Sequence, residues 1–154
     1  MNDKIEDEFL EQLQAEIIEQ ARKVYSHKVI DRWLHPNNLR TIENPQGYGK
    51  MTGQCEDTIE IFLRIVKDRI VEATFLTDGC GTTLAAGSMV TELAQKKTIQ
   101  EAFRISKDLI LKELEGLPKE SEHCAQLASN ALKAALVDYL ASKRESWKTP
   151  YHKR

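Results

Sequence analysis

Apolar residues at helical spacing mark the first part of the chain. Those that share one side of a helix are Leu10, Leu13, Ile17 and Val24. Their spacing predicts one amphipathic helix over residues 3–34, because no proline interrupts the chain before Pro36. We expect this apolar stripe to pack on the domain rather than on a second copy. The stretch rich in glycine, proline and asparagine at 36–53 predicts a loop with a short strand near 49–52.

A two-residue period replaces the helical one in the middle of the chain. The repeating apolar positions are Ile59, Ile61, Leu63 and Ile65. Their alternation predicts a strand over 58–66 with one face in the core. A polar turn at 67–69 and a second β-rich run at 70–77 predict that the two strands form an antiparallel hairpin.

Helical patterns return after the hairpin and continue almost to the end of the chain. The predicted helices cover residues 82–93, 98–105, 107–115 and 122–143. Thr98 and Glu101 form a capping-box pattern, and Ser121 is expected to cap the last helix. The order of helix, strands and helices predicts an α+β fold. Its small antiparallel sheet of about three strands would carry helices on one face, with long N-terminal and C-terminal helices.

The composition is that of one globular domain. The chain has 154 residues, 41% hydrophobic and 30% charged, which is enough for a real core. We expect a helical extension at 1–23, the domain at 24–145 and a basic tail at 146–154. The net charge of −2 gives no general attraction to nucleic acid. No apolar run predicts a membrane span.

Cysteine usage indicates a reducing compartment. The chain has three cysteines, so a closed disulfide framework would leave one unpaired. The acidic N-terminus is unlike a secretory signal or a transit peptide. We therefore expect reduced thiols in a cytoplasmic protein.

Five residues that suit metal ligation fall at the ends of predicted elements. They are Cys55, Asp57, Cys80, His123 and Cys124. In an extended segment, side chains two apart point to the same side, as Cys55 and Asp57 would. Cys80 precedes a helix N-terminus, whose dipole and free N–H groups favour the thiolate. His123 and Cys124 lie in the first turn of the last helix, where the same field acts.

Together these side chains make a donor set for zinc or for an iron–sulfur cluster. Taken singly, each has an ordinary structural explanation, such as a buried cysteine. A cysteine-nucleophile enzyme is a competing hypothesis, but His123 and Cys124 are adjacent on a helix, which is a poor geometry for a thiolate–imidazole pair. A purely structural zinc domain is a further alternative. The residues alone leave the metal and the fourth ligand open.

The segments around these residues resemble the NifU/IscU-type iron–sulfur cluster assembly scaffolds. The resemblance runs from about Val24 to Ser142. The matching segments are Tyr25-Ser26-His27-Lys28-Val29-Ile30-Asp31, Gly53-Gln54-Cys55-Glu56-Asp57, Thr77-Asp78-Gly79-Cys80-Gly81 and His123-Cys124-Ala125-Gln126-Leu127-Ala128. Because the motifs follow the family's order, the resemblance is specific. It implies a SufE/NifU-like fold and a scaffold without turnover of its own.

The resemblance also implies a sequence of chemical events. A cysteine desulfurase would deliver persulfide sulfur to Cys124, and iron would enter the same site. A [2Fe–2S] cluster would then form on the three cysteines, with Asp57 or His123 as the fourth ligand. Acceptor apoproteins would receive the cluster, and an iron donor or a ferredoxin would assist. Zinc is an alternative metal in the isolated protein, and a homodimer is compatible with cluster bridging.

Two segments depart from the family pattern, and they limit which of the family's properties we expect in this chain. Glu56 stands where the first cysteine loop usually has glycine. The segment at 117–122 keeps only the Leu-Pro start of the family's chaperone-binding sequence, so an Hsp70-type chaperone is not carried over as a partner. The alternative function is a zinc-binding sulfur relay that builds no cluster. His123 before the third cysteine favours the scaffold over this relay.

Overall fold

The computed structural model describes residues 2–145, and the predicted basic tail at 146–154 lies outside them. In chain order the elements are α1 (Asn2–Ala21), α2 (His27–Leu34), β1 (Gly47–Thr52), β2 (Thr58–Val66), β3 (Arg69–Thr77), α3 (Gly81–Ala94), α4 (Ile99–Phe103), α5 (Lys107–Glu113), a 3-10 turn (Lys119–Ser121) and α6 (Glu122–Glu145). The three strands form one antiparallel sheet in the order β1-β2-β3. The predicted α+β fold is confirmed.

The single N-terminal helix predicted over 3–34 is wrong, because the chain breaks between α1 and α2. Ser26 marks the break. Its backbone is extended and its hydroxyl accepts a hydrogen bond from the Val29 amide at 3.1 Å, which caps α2. The same hydroxyl donates to the carbonyl of Leu114. A contact between residues this distant in sequence leaves no trace in a local hydrophobic period.

α1 makes few contacts with the rest of the domain, so the prediction that its stripe packs there is also wrong. Its exposed apolar side chains are Ile5, Phe9, Leu10, Leu13 and Ile17. Near its C-terminal end, Ile18 and Ala21 line a shallow groove together with Trp33 of α2. Most of the helix is therefore exposed to solvent, including these apolar side chains.

The sheet packs against α3 and α6 through one face. The core includes Ile59, Ile61 and Phe75 of the strands, all fully buried. β1 begins at Gly47, earlier than predicted, and lies close to α6. A Cβ atom on Gly49 would stand 2.4 Å from the Ala135 amide nitrogen, so this close approach requires glycine.

The other face of the sheet is partly covered by the loop before β1. The Arg40 amide donates to the Phe75 carbonyl at 3.1 Å, and the Gln46 amide donates to the Leu63 carbonyl at 2.9 Å. The loop therefore crosses from β3 to β2, and its Ile42 is buried. Phe62 of β2 is only 9% exposed, and the ring of Tyr48 in β1 lies beside it, with the ring centroids 5.2 Å apart.

The C-terminal half follows the predicted helix order. The capping box of Thr98 and Glu101 is confirmed at the start of α4. Ser121, expected as the cap of α6, is the last residue of the 3-10 turn, and its amide donates to the Pro118 carbonyl at 2.8 Å. No helix in residues 2–145 has the length and apolarity that a membrane crossing requires.

Candidate metal-binding site

Strand register brings two of the predicted motifs to one end of the sheet. Thr52 pairs with Thr58 across the β1–β2 loop, and Ile59 pairs with Thr77 at the end of β3. The loop that carries Cys55 therefore lies beside the turn that carries Cys80. The first turn of α6 reaches the same end, where His123 contacts Cys55. The site is therefore built from three separate segments.

His123 joins two of the cysteines. Its Nε2 atom lies 3.4 Å from the Cys55 Sγ atom and 3.8 Å from the Cys124 Sγ atom. These contacts link the β1–β2 loop to α6. His123 and Cys124 are adjacent in α6, yet they belong to the same site because the Nε2 atom of His123 lies near both thiols.

Thr82 joins the other pair of thiols. Its hydroxyl oxygen lies 3.5 Å from the Cys80 Sγ atom and 3.4 Å from the Cys124 Sγ atom. Sequence reasoning missed this residue, although its place in the first turn of α3, two positions after Cys80, was a usable signal. The hydroxyl connects the N-termini of α3 and α6.

Thr83, also missed from the sequence, connects the predicted carboxylate ligand to the same centre. Its hydroxyl donates to the Asp57 Oδ2 atom at 2.9 Å and lies 3.5 Å from the Cys124 Sγ atom. All five predicted site residues are thus linked through side-chain contacts, with Thr82 and Thr83 as the connecting hydroxyls.

The three thiols differ in exposure. All are free, and Cys55 and Cys80 are exposed whereas Cys124 is buried, with 2% of its surface accessible. Because Cys124, the predicted sulfur acceptor, is buried, a sulfur donor cannot reach it in this arrangement. Groups around its thiol would have to move for that role.

The turn before α3 stabilises the Cys80 thiolate. The Thr82 hydroxyl lowers the pKa of this thiol most strongly; partial burial opposes it, and the amides of Thr82 and Thr83 lower it further. The net pKa lies below the ordinary thiol value. This agrees with the expectation from the position of Cys80 at a helix N-terminus.

The glycines on either side of Cys80 make room for protein side chains. A Cβ atom on Gly81 would stand 2.1 Å from the ring of Trp33, and one on Gly79 would stand 2.6 Å from the Cβ atom of Thr83. The sequence-based expectation was that they allow close backbone approach. In the structure, the side chains of Trp33 in α2 and Thr83 in α3 occupy the space beside these glycines.

The donor atoms are linked to one another rather than aimed at a common point. Within residues 2–145, no three His, Cys, Asp or Glu side chains have the geometry to hold a metal ion. The donor types nevertheless suit thiophilic metals. Metal binding would therefore require side-chain rotation and loop movement that replace the contacts of His123 and Thr82 with the thiols by metal–ligand bonds.

Free thiols gathered with an imidazole and a carboxylate at one end of an α+β domain are the donor types found in the class of proteins that bind thiophilic metals. Comparison with known proteins narrows this class. Residues 24–146 match the family described as the NifU-like N-terminal domain, so the chain belongs to that family.

Relatives with established names support this membership. The chain is 41% identical over 117 residues to "Iron-sulfur cluster assembly scaffold protein IscU 1" of Archaeoglobus fulgidus, covering 75% of this chain and 76% of that protein. It is 39% identical over 127 residues to "Iron-sulfur cluster assembly scaffold protein IscU" of Escherichia coli (strain K12), covering 79% of this chain and 98% of that protein.

Solved structures share the fold. The N-terminal part of a NifU-like protein from Brucella abortus superposes with a TM-score of 0.62 at 14% identity, covering 77% of this chain and 95% of that one. A scaffold protein for the SUF system from Fervidobacterium islandicum gives 0.59 at 20% identity, covering 73% and 96%. At these identities the likeness concerns the fold alone.

Proposed function

We propose that this protein is an IscU-type scaffold on which a [2Fe–2S] cluster is built and from which it is transferred. The observation that carries the proposal is the meeting of Cys55, Cys80 and Cys124 with one imidazole and one carboxylate at one end of the sheet. The named relatives at 39% and 41% identity are cluster assembly scaffolds. In this role the cluster is cargo, and the protein itself does not turn over.

The three cysteines are the proposed thiolate ligands, with Asp57 or His123 as the fourth. Cys80 is prepared for this role, since its pKa is lowered and its side chain is exposed. A nitrogen or oxygen ligand gives a cluster with incomplete sulfur ligation. Such a cluster is easier to release, which suits a protein that must pass it on.

Cys124 is the proposed sulfur acceptor, by family resemblance. Its thiolate would attack the terminal sulfur of a desulfurase persulfide. The S–S bond of the donor then breaks, the donor cysteine leaves as a thiolate, and the persulfide resides on Cys124. Because Cys124 is buried, groups around its thiol have to move first, and docking of a cysteine desulfurase would supply that movement.

Two further kinds of partner follow from the chemistry. Reducing persulfide to sulfide takes more electrons than ferrous iron releases on becoming ferric, so an external reductant such as a ferredoxin is required. Iron must come from a donor or from the free pool. Acceptor apoproteins complete the cycle by taking up the cluster.

Anaerobic incubation with a cysteine desulfurase, cysteine, ferrous iron and reduced ferredoxin tests the function. We expect visible sulfur-to-iron absorption in the wild-type protein and its loss in each of Cys55→Ser, Cys80→Ser and Cys124→Ser. Without iron and ferredoxin, intact mass should show an added sulfur that only Cys124→Ser lacks. Sulfur addition without any visible absorption, on protein that holds zinc, would support the sulfur relay and contradict the scaffold.

A further inference from the structure

Thr83 has an environment that packing alone does not explain. Its side chain is fully buried in the first turn of α3. Its hydroxyl donates to the Asp57 Oδ2 atom at 2.9 Å, which ties the β1–β2 loop to α3. The hydroxyl also lies 3.5 Å from the Cys124 Sγ atom, at the centre of the site.

We propose that Thr83 is a positioning residue that holds the Asp57 carboxylate in the pocket so that it can act as a metal ligand. The hydroxyl engages one carboxylate oxygen and leaves the other for a metal ion. Without it, the carboxylate sits on a loop and is free to turn towards water. The inference rests on the proposed function only in taking Asp57 as a ligand.

The backbone around Asp57 supports this role for the hydroxyl. The Gly53 amide donates to the Asp57 carbonyl at 2.8 Å, which closes the loop on itself. That bond fixes the main chain of Asp57 but not its side chain. The side chain is fixed from outside the loop, by Thr83, and partners that orient a metal ligand typically alter metal affinity about 10- to 100-fold when removed.

Cobalt(II) binding to the whole protein without iron or sulfide tests the proposal, because it needs no cluster assembly. We expect Thr83→Val and Asp57→Ala each to raise the cobalt dissociation constant about 10-fold. The d–d absorption bands of the bound cobalt should change in the same way in both variants. The double variant should bind no more weakly than either single one. Thr83→Ser, which keeps the hydroxyl, should bind like the wild type.

Two control variants separate this effect from changes elsewhere. Thr91→Val makes the same substitution at a buried position of α3 whose hydroxyl donates to the Gly87 carbonyl at 2.9 Å, and it should leave cobalt binding unchanged. Thr82→Val removes the hydroxyl between Cys80 and Cys124, so its effect should add to that of Asp57→Ala. Denaturant unfolding of every variant confirms that each is folded.

Several results would overturn the proposal. Wild-type cobalt binding by Thr83→Val, or effects of Thr83→Val and Asp57→Ala that add, would show that Thr83 does not act through Asp57. Wild-type binding by Asp57→Ala would do the same. Failure of cluster assembly alongside the expected cobalt pattern would count against the proposed function and leave the role of Thr83 supported.

Discussion

Glu56 adopts a left-handed backbone conformation, with φ of 64°, in the loop that carries Cys55 and Asp57. Its amide donates to the Gly53 carbonyl at 3.0 Å, which completes the turn. The left-handed region favours glycine, and glycine is what the family resemblance led us to expect at this position. A residue with a side chain costs about 1–2 kcal/mol there.

Glu56→Gly should therefore stabilise the protein by about 0.5–1 kcal/mol, because relief of this strain exceeds the extra chain entropy of glycine. Denaturant unfolding measures the change. Glu56→Ala is the control, since it removes the charge and keeps the strain, and it should give no gain. Equal stability of the two variants would contradict the strain explanation.

A second prediction at this scale concerns the Cys80 thiol. Because the Thr82 hydroxyl contributes most to lowering its pKa, Thr82→Val should raise that pKa. Below the pKa, less thiolate is then present at any given pH, so alkylation of Cys80 should slow and its pH–rate curve should move to higher pH. Mass spectrometry after iodoacetamide treatment of metal-free protein gives the rate at this cysteine. An unchanged curve would assign the lowered pKa to the backbone amides.

At the scale of elements, the site depends on where strands and helices end. The β1–β2 loop, the β3–α3 turn and the start of α6 meet because the sheet is antiparallel and α6 packs against β1. The core elements hold these ends in place, whereas α1 contributes few contacts. The two long helices should therefore respond very differently to the same substitution.

Leucine truncation in each long helix checks this difference. Leu132→Ala in α6, where the side chain is fully buried, should destabilise the protein by about 2–5 kcal/mol. Leu10→Ala in α1, where the side chain is exposed, should change stability by less than about 0.5 kcal/mol. Both values come from denaturant unfolding. A large loss for Leu10→Ala would mean that α1 is packed in solution, on the domain or on another copy.

At the scale of the whole molecule, the sequence pattern predicted those elements that are determined by residues close together in the chain. Alternation at Ile59 and Ile61 predicted β2, and the Thr98–Glu101 pair predicted the start of α4. The five site residues could be chosen because cysteines near glycines and helix starts carry a chemical signal. The pattern could not supply tertiary contacts, such as the bond from Ser26 to Leu114 at the break between α1 and α2 and the packing of the Tyr48 ring beside Phe62.

The connecting hydroxyls were missed for a related reason. The closeness of Thr82 to Cys80 in sequence was a signal for a hydroxyl near one thiol, but only the folded chain places Thr82 and Thr83 beside Cys124 and Asp57. The burial of Cys124 follows from its place three and four residues before the buried Leu127 and Ala128 on the core-facing side of α6. Tertiary packing thus explains why Thr82 and Thr83 were missed. It also explains why the buried Cys124 thiol has to become accessible before it can accept sulfur.

The central claim is that the site builds an iron–sulfur cluster rather than holding a single metal ion. Chemical analysis of iron and acid-labile sulfide after anaerobic reconstitution with a cysteine desulfurase tests it most directly. We predict iron and sulfide in about equal amounts, as a [2Fe–2S] cluster requires, and neither in a folded variant with all three cysteines changed to serine. Folded wild-type protein that retains zinc and contains no acid-labile sulfide would contradict the claim.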